Sequence, residues 1–462
     1  GGAGYHTLAL QDPSLLANSQ LWAWGYNDTG GLGDLTILKR SSPVQIGTLA
    51  IWSAAAAGYS HTLALKTDGT LWTSGSGGDG KLGHSDVVAR SSPTQVGGLG
   101  TWSKVASGFH SMALRIDNTL WAWGYNTFGM LGDGGVVKRS SPVQVGTLAT
   151  WAQISGGQRH SLAIKTDGTL WAWGQSTKGQ LGLGDTVQRS SPVQVGALAT
   201  WAQISGGMYH SLALKTDGTL WVCGQNATGT LGLEDVVLRS SPVQVGTLTT
   251  WSQISGGYQE HSFALKTDGT LWTWGENDFG QLGLGDRGAG ASTSRSSPVQ
   301  VGTLSTWAQV SAGNNRTAAL RTDGTLWTWG YNTHGAAGLG DAVHRSSPVQ
   351  VGTFATWQFL AQGSTMKTTV SLLWPPTTTT AAPGKPTAVI ATVGSASGTA
   401  VVVWTAPLSS GGKPISLYTV TSSPGGITAT TNGTFATVSG LTTSTTYTFT
   451  VTAANSVGTG SA

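Results

Sequence analysis

One unit of about 50 residues occurs seven times in this 462-residue chain. Its clearest copy runs from Thr150 to Ala199, and the spacing between copies is about 50 residues, rising to about 55 where one loop is longer. The Leu-Trp pair of the unit recurs at Trp22, Trp72, Trp121, Trp171, Trp221, Trp272 and Trp327. A fixed period of this length predicts a repeat architecture, in which each unit is one supersecondary element that packs on its neighbours.

Each unit is typical of short β-strands joined by tight turns. Residues 160–165 and 169–174 are alternating apolar runs on either side of an Asp-Gly pair, which is a strong hairpin signal. Strand geometry places Trp171 and Trp173 on one face of their strand. Val-Gln-Val-Gly and Trp-Ala-Gln-Ile-Ser fit as two further strands, and we expect Pro192 in a loop or at a strand start. Four short strands per unit predict propeller blades.

The two ends of the repeat region complement each other. The chain begins inside a unit, at Tyr5 and His6, and the strand that should precede them is found only at residues 357–363. We expect this late strand to complete the first blade, which leaves no free sheet edge. The fold class predicted is therefore all-β, with a seven-bladed β-propeller over residues 1–373.

The remainder of the chain changes character. Residues 374–384 are a Thr/Pro-rich linker, and residues 385–462 contain short alternating strands. This last segment resembles a fibronectin type III domain, a small immunoglobulin-like β-sandwich, because Trp404 stands at the buried tryptophan position and Leu441 and Tyr447 match its tyrosine corner. We expect the segment to lack the last strand of such a domain.

The repeat itself resembles a known family. The pattern Gly-x-x-His-Ser-x-Ala-Leu-Lys-Thr-Asp-Gly-Thr-Leu-Trp-x-Trp-Gly, followed by Gly-Gln-Leu-Gly, is similar to the regulator-of-chromosome-condensation repeat. The resemblance implies a seven-bladed propeller, and the near-identity of the units is more typical of bacterial and phage versions. Members serve nucleotide exchange on a GTPase, chromatin contact, enzyme inhibition or surface interaction, so the fold does not define the function.

The composition disfavours several functions. The net charge is +4, with 24 basic and 20 acidic residues that do not cluster, whereas a nucleic-acid binder needs a basic stripe. The sequence contains no membrane-spanning run and no signal peptide, and the single Cys223 is expected to be a small buried apolar residue. We expect no cofactor.

Two repeated polar positions could carry chemistry. A His recurs in six units, and we expect each to hydrogen-bond backbone in its own blade, because a ring of imidazoles cannot converge on one metal ion. These residues are His6, His61, His110, His160, His210 and His261. An Asp precedes the repeated Arg in each unit and predicts a structural ion pair. Seven equivalent acids do not provide a general acid and base, so we predict no catalytic residues and no enzyme.

The differences between units are the strongest functional signal. They lie before the repeated His, after Trp-x-x-Gly and around the Asp–Arg loop, and hairpin geometry places the first two on one face of the disc. Tyr and Arg, the types that dominate interface hot spots, are frequent there. The candidate binding residues are Tyr59, Phe109, Arg159, Tyr209, Tyr258 and Asn315, with Tyr26, Tyr125 and Tyr331 nearby. Neutral drift at exposed sites is the alternative explanation.

The sequence therefore predicts a non-catalytic display protein. Its propeller face would bind a protein or glycan, or assemble into a larger structure, in an extracellular setting on a bacterial cell surface or a phage virion. The alternative function is a secreted enzyme inhibitor that acts through the same face.

Overall fold

The structure is a computed structural model that describes residues 6–11, 20–47, 52–98, 100–288, 293–355, 357–360, 382–394, 396–407 and 415–462, with only the backbone described for 6–11 and 358–359. The chain forms two compact units, Gly1–Val370 and Ser371–Ala462. Tyr5, Gly363, most of the Thr/Pro linker and the centre of the insertion after Arg287 lie outside the described residues.

The first unit consists of seven four-stranded antiparallel sheets, the blades, numbered here 1 to 7 in chain order of their hairpins. Neighbouring blades approach each other most closely through the first strand of each sheet, which is therefore innermost. The inner strands of blades 1 to 7 are Trp357–Leu360, Trp52–Ala57, Trp102–Ser107, Trp151–Gly156, Trp201–Gly206, Trp251–Gly256 and Trp307–Ala312. The second strands are His6–Gln11, His61–Lys66, His110–Arg115, His160–Lys165, His210–Lys215, His261–Lys266 and Arg316–Arg321.

The third and outer strands complete each blade. The third strands are Gln20–Gly25, Leu71–Gly75, Leu120–Gly124, Leu170–Gly174, Leu220–Gly224, Leu271–Gly275 and Leu326–Gly330. The outer strands are Arg40–Gln45, Arg90–Gln95, Arg139–Gln144, Arg189–Gln194, Arg239–Gln244, Arg295–Gln300 and Arg345–Gln350. The helical content of the described residues is one 3-10 turn, Gly78–Gly80.

The prediction for Pro192 is corrected by the outer strands. Pro192 lies inside the strand Arg189–Gln194 and not in a loop. The pairing with the third strand shifts there, since Ala172 faces Val193 but Gly174 already faces Arg189. A bulge on an outer strand does not need the backbone N–H that Pro lacks, which is why this residue is tolerated.

The apolar core lies between blades. Trp171 and Trp173 pack into a cluster with blade 3 residues, whereas Leu170 and Ala172, on the opposite face of the same strand, pack into a cluster with blade 5 residues. The predicted alternation is thus confirmed, and each blade shares its two apolar faces with its neighbours. A single blade could not bury these faces by itself.

The ring closes between blades 7 and 1. The late strand pairs with the second strand of blade 1, with Ala9 opposite Leu360, as predicted. The side-chain oxygen of Gln309 in blade 7 accepts the backbone N–H of Leu360 (3.1 Å), and the N–H of Gly340 donates to the carbonyl of Ser41 (2.7 Å). The backbone bond of the Gly340–Ser41 type also joins every other pair of neighbouring blades, and the bond of the Gln309 type recurs between Gln253 and Val310. Blade 1 therefore follows blade 7 as the next repeat of the ring.

The second unit is a sandwich of two three-stranded sheets. One sheet contains Thr387–Val393, Thr399–Thr405 and Phe435–Ser439, and the other contains Leu417–Ser423, Thr428–Thr431 and Thr448–Ala454. Trp404 is buried between them, and the Tyr447 hydroxyl accepts the backbone N–H of Thr442 (3.1 Å). Both predicted fibronectin type III features are therefore confirmed.

Candidate binding face

Two faces of the propeller differ in how much they vary. The turn face carries the hairpin turns between second and third strands, where an Asp carboxylate caps the turn in the same way in blade after blade. In blade 4 the Asp167 carboxylate accepts the backbone N–H of Thr169 (2.9 Å), and the Thr169 hydroxyl accepts from the Trp171 indole (2.9 Å). The opposite face, called the variable face below, carries the loops before the second strand and after the third strand.

The repeated histidines lie beneath the variable face and bridge neighbouring blades. His110 Nε2 lies 2.7 Å from the hydroxyl oxygen of Ser161 in the next blade, and that hydroxyl donates to the carbonyl of Met130 (2.7 Å). The Trp173 indole donates to the same carbonyl (2.8 Å). The same bond joins His61 to Ser111, His160 to Ser211 and His210 to Ser262.

This corrects the prediction that each His bonds backbone in its own blade. The link runs to the next blade instead, while His261 does approach a nearby carbonyl, that of Gln259 (2.8 Å). Burial lowers the pKa of His110 to about 3, so its imidazole stays neutral. A Cβ at Gly157 would meet the His160 ring at 2.1 Å, which explains the Gly pair before the His.

The Asp–Arg pairs are confirmed in all seven blades, but from two different positions. Asp34 and Asp133 stand six residues before their Arg and are nearly buried, whereas Asp86, Asp185, Asp235 and Asp341 stand four residues before it and are more exposed. Asp286, before the insertion, pairs with Arg295 (2.5 Å). Because two positions deliver a carboxylate to one guanidinium, these acids hold the loop together and do not form a site.

Some of the variation after Trp-x-x-Gly is structural. Asn226, one of the residues that differ between blades 4 and 5, is buried and donates to the Asp235 carboxylate (2.9 Å). Its side-chain oxygen accepts the N–H of Leu231 (2.8 Å). The residues that differ and also reach the surface are therefore fewer than the alignment of the repeats indicates.

The structure brings three of the predicted residues together at the propeller axis. Tyr59 and Phe109 have ring centroids 4.5 Å apart, and Tyr258 reaches across from blade 6 to within 6.2 and 6.4 Å of them. The Gln158 amide donates to the Tyr258 hydroxyl (2.5 Å). Tyr258 is 7% exposed and Gln158 is buried. The sequence did not predict this burial. Tyr258 packs against other side chains near the propeller axis and is not an exposed binding residue.

The other predicted residues are half-exposed, and four of them, Tyr26, Tyr125, Arg159 and Tyr331, belong to two aromatic clusters. The first, on blades 3 and 4, contains Phe109, Tyr125, Phe128 and Arg159, whose guanidinium lies 5.6 Å from the Phe109 ring and 5.2 Å from the Phe128 ring. Phe128 was missed by sequence reasoning, although it stands in a segment that varies between units.

The second aromatic cluster runs without a break from blade 1 through blade 7 to blade 6. Its ring pairs are Tyr26–His334 (5.1 Å), His334–Tyr331 (6.2 Å), Tyr331–His344 (4.9 Å) and His344–Phe279 (5.5 Å). Both histidines and Phe279 were missed by sequence reasoning. Tyr209 and Asn315 are half-exposed and belong to neither cluster, and Asn315 accepts a hydrogen bond from Gln281 (3.4 Å).

Three acids of blade 6 lie side by side on the variable face. Burial, together with Asp278 and Glu260, raises the pKa of Glu276 to about 8. Burial also raises the pKa of Glu260, whose carboxylate accepts hydrogen bonds from Gln225 and Thr228. A cavity of about 20 Å³ beside Cys223 and an open groove of about 410 Å³ along Trp171 are both lined by other residues. Glu276 is thus a perturbed acid that lines neither of these two cavities.

Within the described residues, no three His, Cys, Asp or Glu side chains are grouped so that they could hold a metal ion. No helix in the described part of the chain has the length and apolar character that a membrane crossing requires.

The geometry defines a closed seven-bladed propeller with one uniform face and one aromatic, variable face. The chain belongs to the regulator of chromosome condensation (RCC1) repeat family. The repeat of this family matches seven segments of the chain, residues 18–65, 68–114, 117–164, 167–214, 217–265, 268–320 and 323–364. Residues 384–462 match the fibronectin type III domain.

Relatives share the repeat over short stretches. The chain is 42% identical over 77 residues to the human probable E3 ubiquitin-protein ligase HERC3, an alignment that spans 16% of this chain and 7% of that protein. It is 42% identical over 78 residues to the zebrafish (Danio rerio) protein RCC2 homolog, over 16% of this chain and 14% of that protein. These alignments cover a small part of each relative. They show that the repeat is shared and do not extend to the activity of the whole protein.

Solved structures share the fold. Prp20p of Saccharomyces cerevisiae, which was studied for its binding to Gsp1p and histones, has a TM-score of 0.65 at 22% identity over 75% of this chain and 88% of its own. Human WBSCR16 has a TM-score of 0.63 at 21% identity over 73% of this chain and 94% of its own. At this level of identity the likeness establishes the propeller alone.

Proposed function

We propose that this chain is a non-catalytic interaction module whose variable face binds a partner protein. The observation that carries the proposal is the contrast between the two faces. Seven blades keep the same framework, and blades 2 to 7 keep the same Asp-capped turn, yet their exposed side chains on the other face differ and include two aromatic clusters. Half-exposed Tyr and Arg on a rigid support are the side chains that most often dominate protein interfaces. Prp20p, which shares the propeller fold, was studied for its binding to the proteins Gsp1p and histones.

The setting proposed is display on a bacterial cell surface or a phage virion, with the sandwich as a spacer. Support comes from the Thr/Pro-rich run between the two units and from a second unit that is almost free of charge. Antibody labelling of intact cells and of purified virions tests this setting. Labelling only after the cells are broken, and none of virions, would contradict it.

The binding face is tested by affinity capture with matched variants of the full chain. Tyr125→Ala and Tyr331→Ala each remove one half-exposed ring, and we expect each to weaken a captured partner at least about tenfold. Leu198→Ala and Leu248→Ala remove exposed leucines from the turn face and serve as controls. A partner that the leucine variants lose, and the tyrosine variants keep, would place binding on the wrong face. If the captured partner is a glycan, and the tyrosine variants lose it while the leucine variants keep it, the variable face is still the binding face. The partner would then be a glycan and not a protein.

A further inference from the structure

Arg159 is a fixed cation at the surface of the first aromatic cluster. Its guanidinium is held between Phe109 and Phe128, and among the residues that the structure describes no carboxylate lies within 4 Å of it. Lys39 has the same character in the second cluster, since its ammonium lies 5.0 Å from the Tyr26 ring. A cation that packs on a ring keeps its N–H groups available to an anion.

Two acids of the variable face have partners within the propeller. Asp79 lies 2.5 Å from Lys138 Nζ and 3.6 Å from Lys81 Nζ. Glu260 accepts hydrogen bonds from Gln225 and Thr228, whereas Glu276 lies against Asp278 and has a raised pKa. Arg159 and Lys39, in contrast, form no ion pair among the residues that the structure describes.

Burial lowers the pKa of both histidines of the second cluster, His334 and His344. Nearby cations act in the same direction, Lys39 and Arg316 on His334 and Arg287 on His344, while Asp28 opposes them at His334. The second cluster therefore has cations close to its rings.

We propose that the partner presents an acidic polypeptide segment whose carboxylates pair with Arg159 and with Lys39. This inference rests on the proposed function and adds the chemistry of the partner. A guanidinium held by two rings offers a carboxylate two parallel N–H donors at little cost in side-chain entropy. The cations are few and do not form a continuous stripe, which suits a polypeptide better than the continuous phosphate charge of a nucleic acid.

The test measures binding of a fluorescein-labelled peptide of alternating Glu and Ser to the full chain, at low and at physiological salt. We expect saturable binding that Arg159→Ala weakens at least about tenfold, because hydrogen bonds to charged groups are that strong. Arg159→Lys should lie between the two, since an ammonium cannot donate in the bidentate manner. Lys39→Ala should also weaken binding and, because Lys39 is exposed, should leave the fold intact.

The matched control is Lys215→Ala, which removes an ammonium that lies 3.7 Å from the Trp221 ring on the turn face. This variant should bind the acidic peptide as tightly as the unchanged chain does. Thermal melts should show that each variant is folded. The inference is overturned if Arg159→Ala binds the peptide as well as the unchanged chain, or if a single-stranded oligonucleotide binds the same residues more tightly. If Tyr125→Ala and Tyr331→Ala weaken binding of a captured partner, but Arg159→Ala leaves binding of the acidic peptide unchanged, the proposed function stands and this inference fails.

Discussion

At the scale of single residues, the position of a side chain in the ring decides what it does. Tyr209 and Tyr258 both stand in the variable segment before the repeated His, yet Tyr209, directly before His210, is half-exposed and Tyr258, directly after Gly257, is buried. Glu276 stands where blades 1, 3 and 7 have a Tyr, and its carboxyl group lies against two other acids. Equivalent positions in the repeat therefore do not imply equivalent environments.

The raised pKa of Glu276 predicts a pH dependence of stability. Its pKa is about 8 in the folded chain, whereas an unperturbed glutamate has a pKa of 4.5, so the protonated form favours folding. This contribution is complete below about pH 4.5 and is lost as the pH rises through about 8. We expect the melting temperature of the propeller to fall over this range, and Glu276→Gln to flatten the fall. The exposed Glu234→Gln is the control and should keep the full slope.

At the scale of the blade, one missing indole leaves a measurable defect. Blades 1, 3, 4, 6 and 7 bury a second Trp at the end of the third strand, and blade 5 has Cys223 there. Burial raises the pKa of this thiol to about 12, and a cavity of about 20 Å³ lies beside it. Seven side chains of the cluster at Cys223 are identical to those of the cluster at Trp173, while Leu162 and Ile164 stand where blade 3 has Met112 and Leu114. The shared shell is Leu170, Ala172, Leu181, Val195, Trp201, Ile204 and Ala213 against Leu120, Ala122, Leu131, Val145, Trp151, Ile154 and Ala163.

Because the equivalent shell in blade 3 accommodates the indole of Trp173, Cys223→Trp should fill the cavity. We expect the free energy of unfolding to rise by about 1 kcal/mol, with the new indole N–H donating to the carbonyl of Gln180. Chemical denaturation followed by circular dichroism measures the change. Cys223→Ser leaves the cavity and is the control. A Trp variant that is less stable than the unchanged chain would show that blade 5 has relaxed into the space.

At the scale of the whole molecule, contacts across the axis join blades that are far apart in the ring. Tyr258 of blade 6 contacts Tyr59 of blade 2 and Phe109 of blade 3, and bonds to Gln158 of blade 4. These contacts close the axis at the variable face. They also connect blades that are not adjacent in the ring. They therefore stabilise the ring in addition to the contacts between neighbouring blades.

Tyr258→Ala should therefore destabilise the propeller, by about 3 kcal/mol, as expected for loss of a buried aromatic ring. Tyr209→Ala removes a half-exposed ring from the equivalent segment and should change stability little. Equilibrium unfolding of both variants measures the difference, and Tyr258→Phe isolates the hydrogen bond to Gln158. Equal stability of the Tyr209 and Tyr258 variants would mean that the contacts across the axis do not hold the ring.

The sequence by itself determined the features that depend on neighbouring residues: the strands, the Asp-Gly turns, the alternation of Trp171 and Trp173, the Asp–Arg pairs and the number of blades. It also predicted the late strand at Trp357, because a missing piece at one end matched a surplus at the other. Local patterns suffice for these features, since strand alternation, turn conformation and short-range ion pairs act within a few residues.

Only the tertiary structure decided which variable side chains face a partner. The His110–Ser161 bond, the burial of Tyr258 against Tyr59 and the ring contacts of Arg159 all join residues from different blades that lie far apart in the chain. Such contacts depend on the angle between neighbouring blades and on the distance between opposite blades across the axis. Those quantities are set by packing all seven blades into one closed ring, and no single repeat contains them.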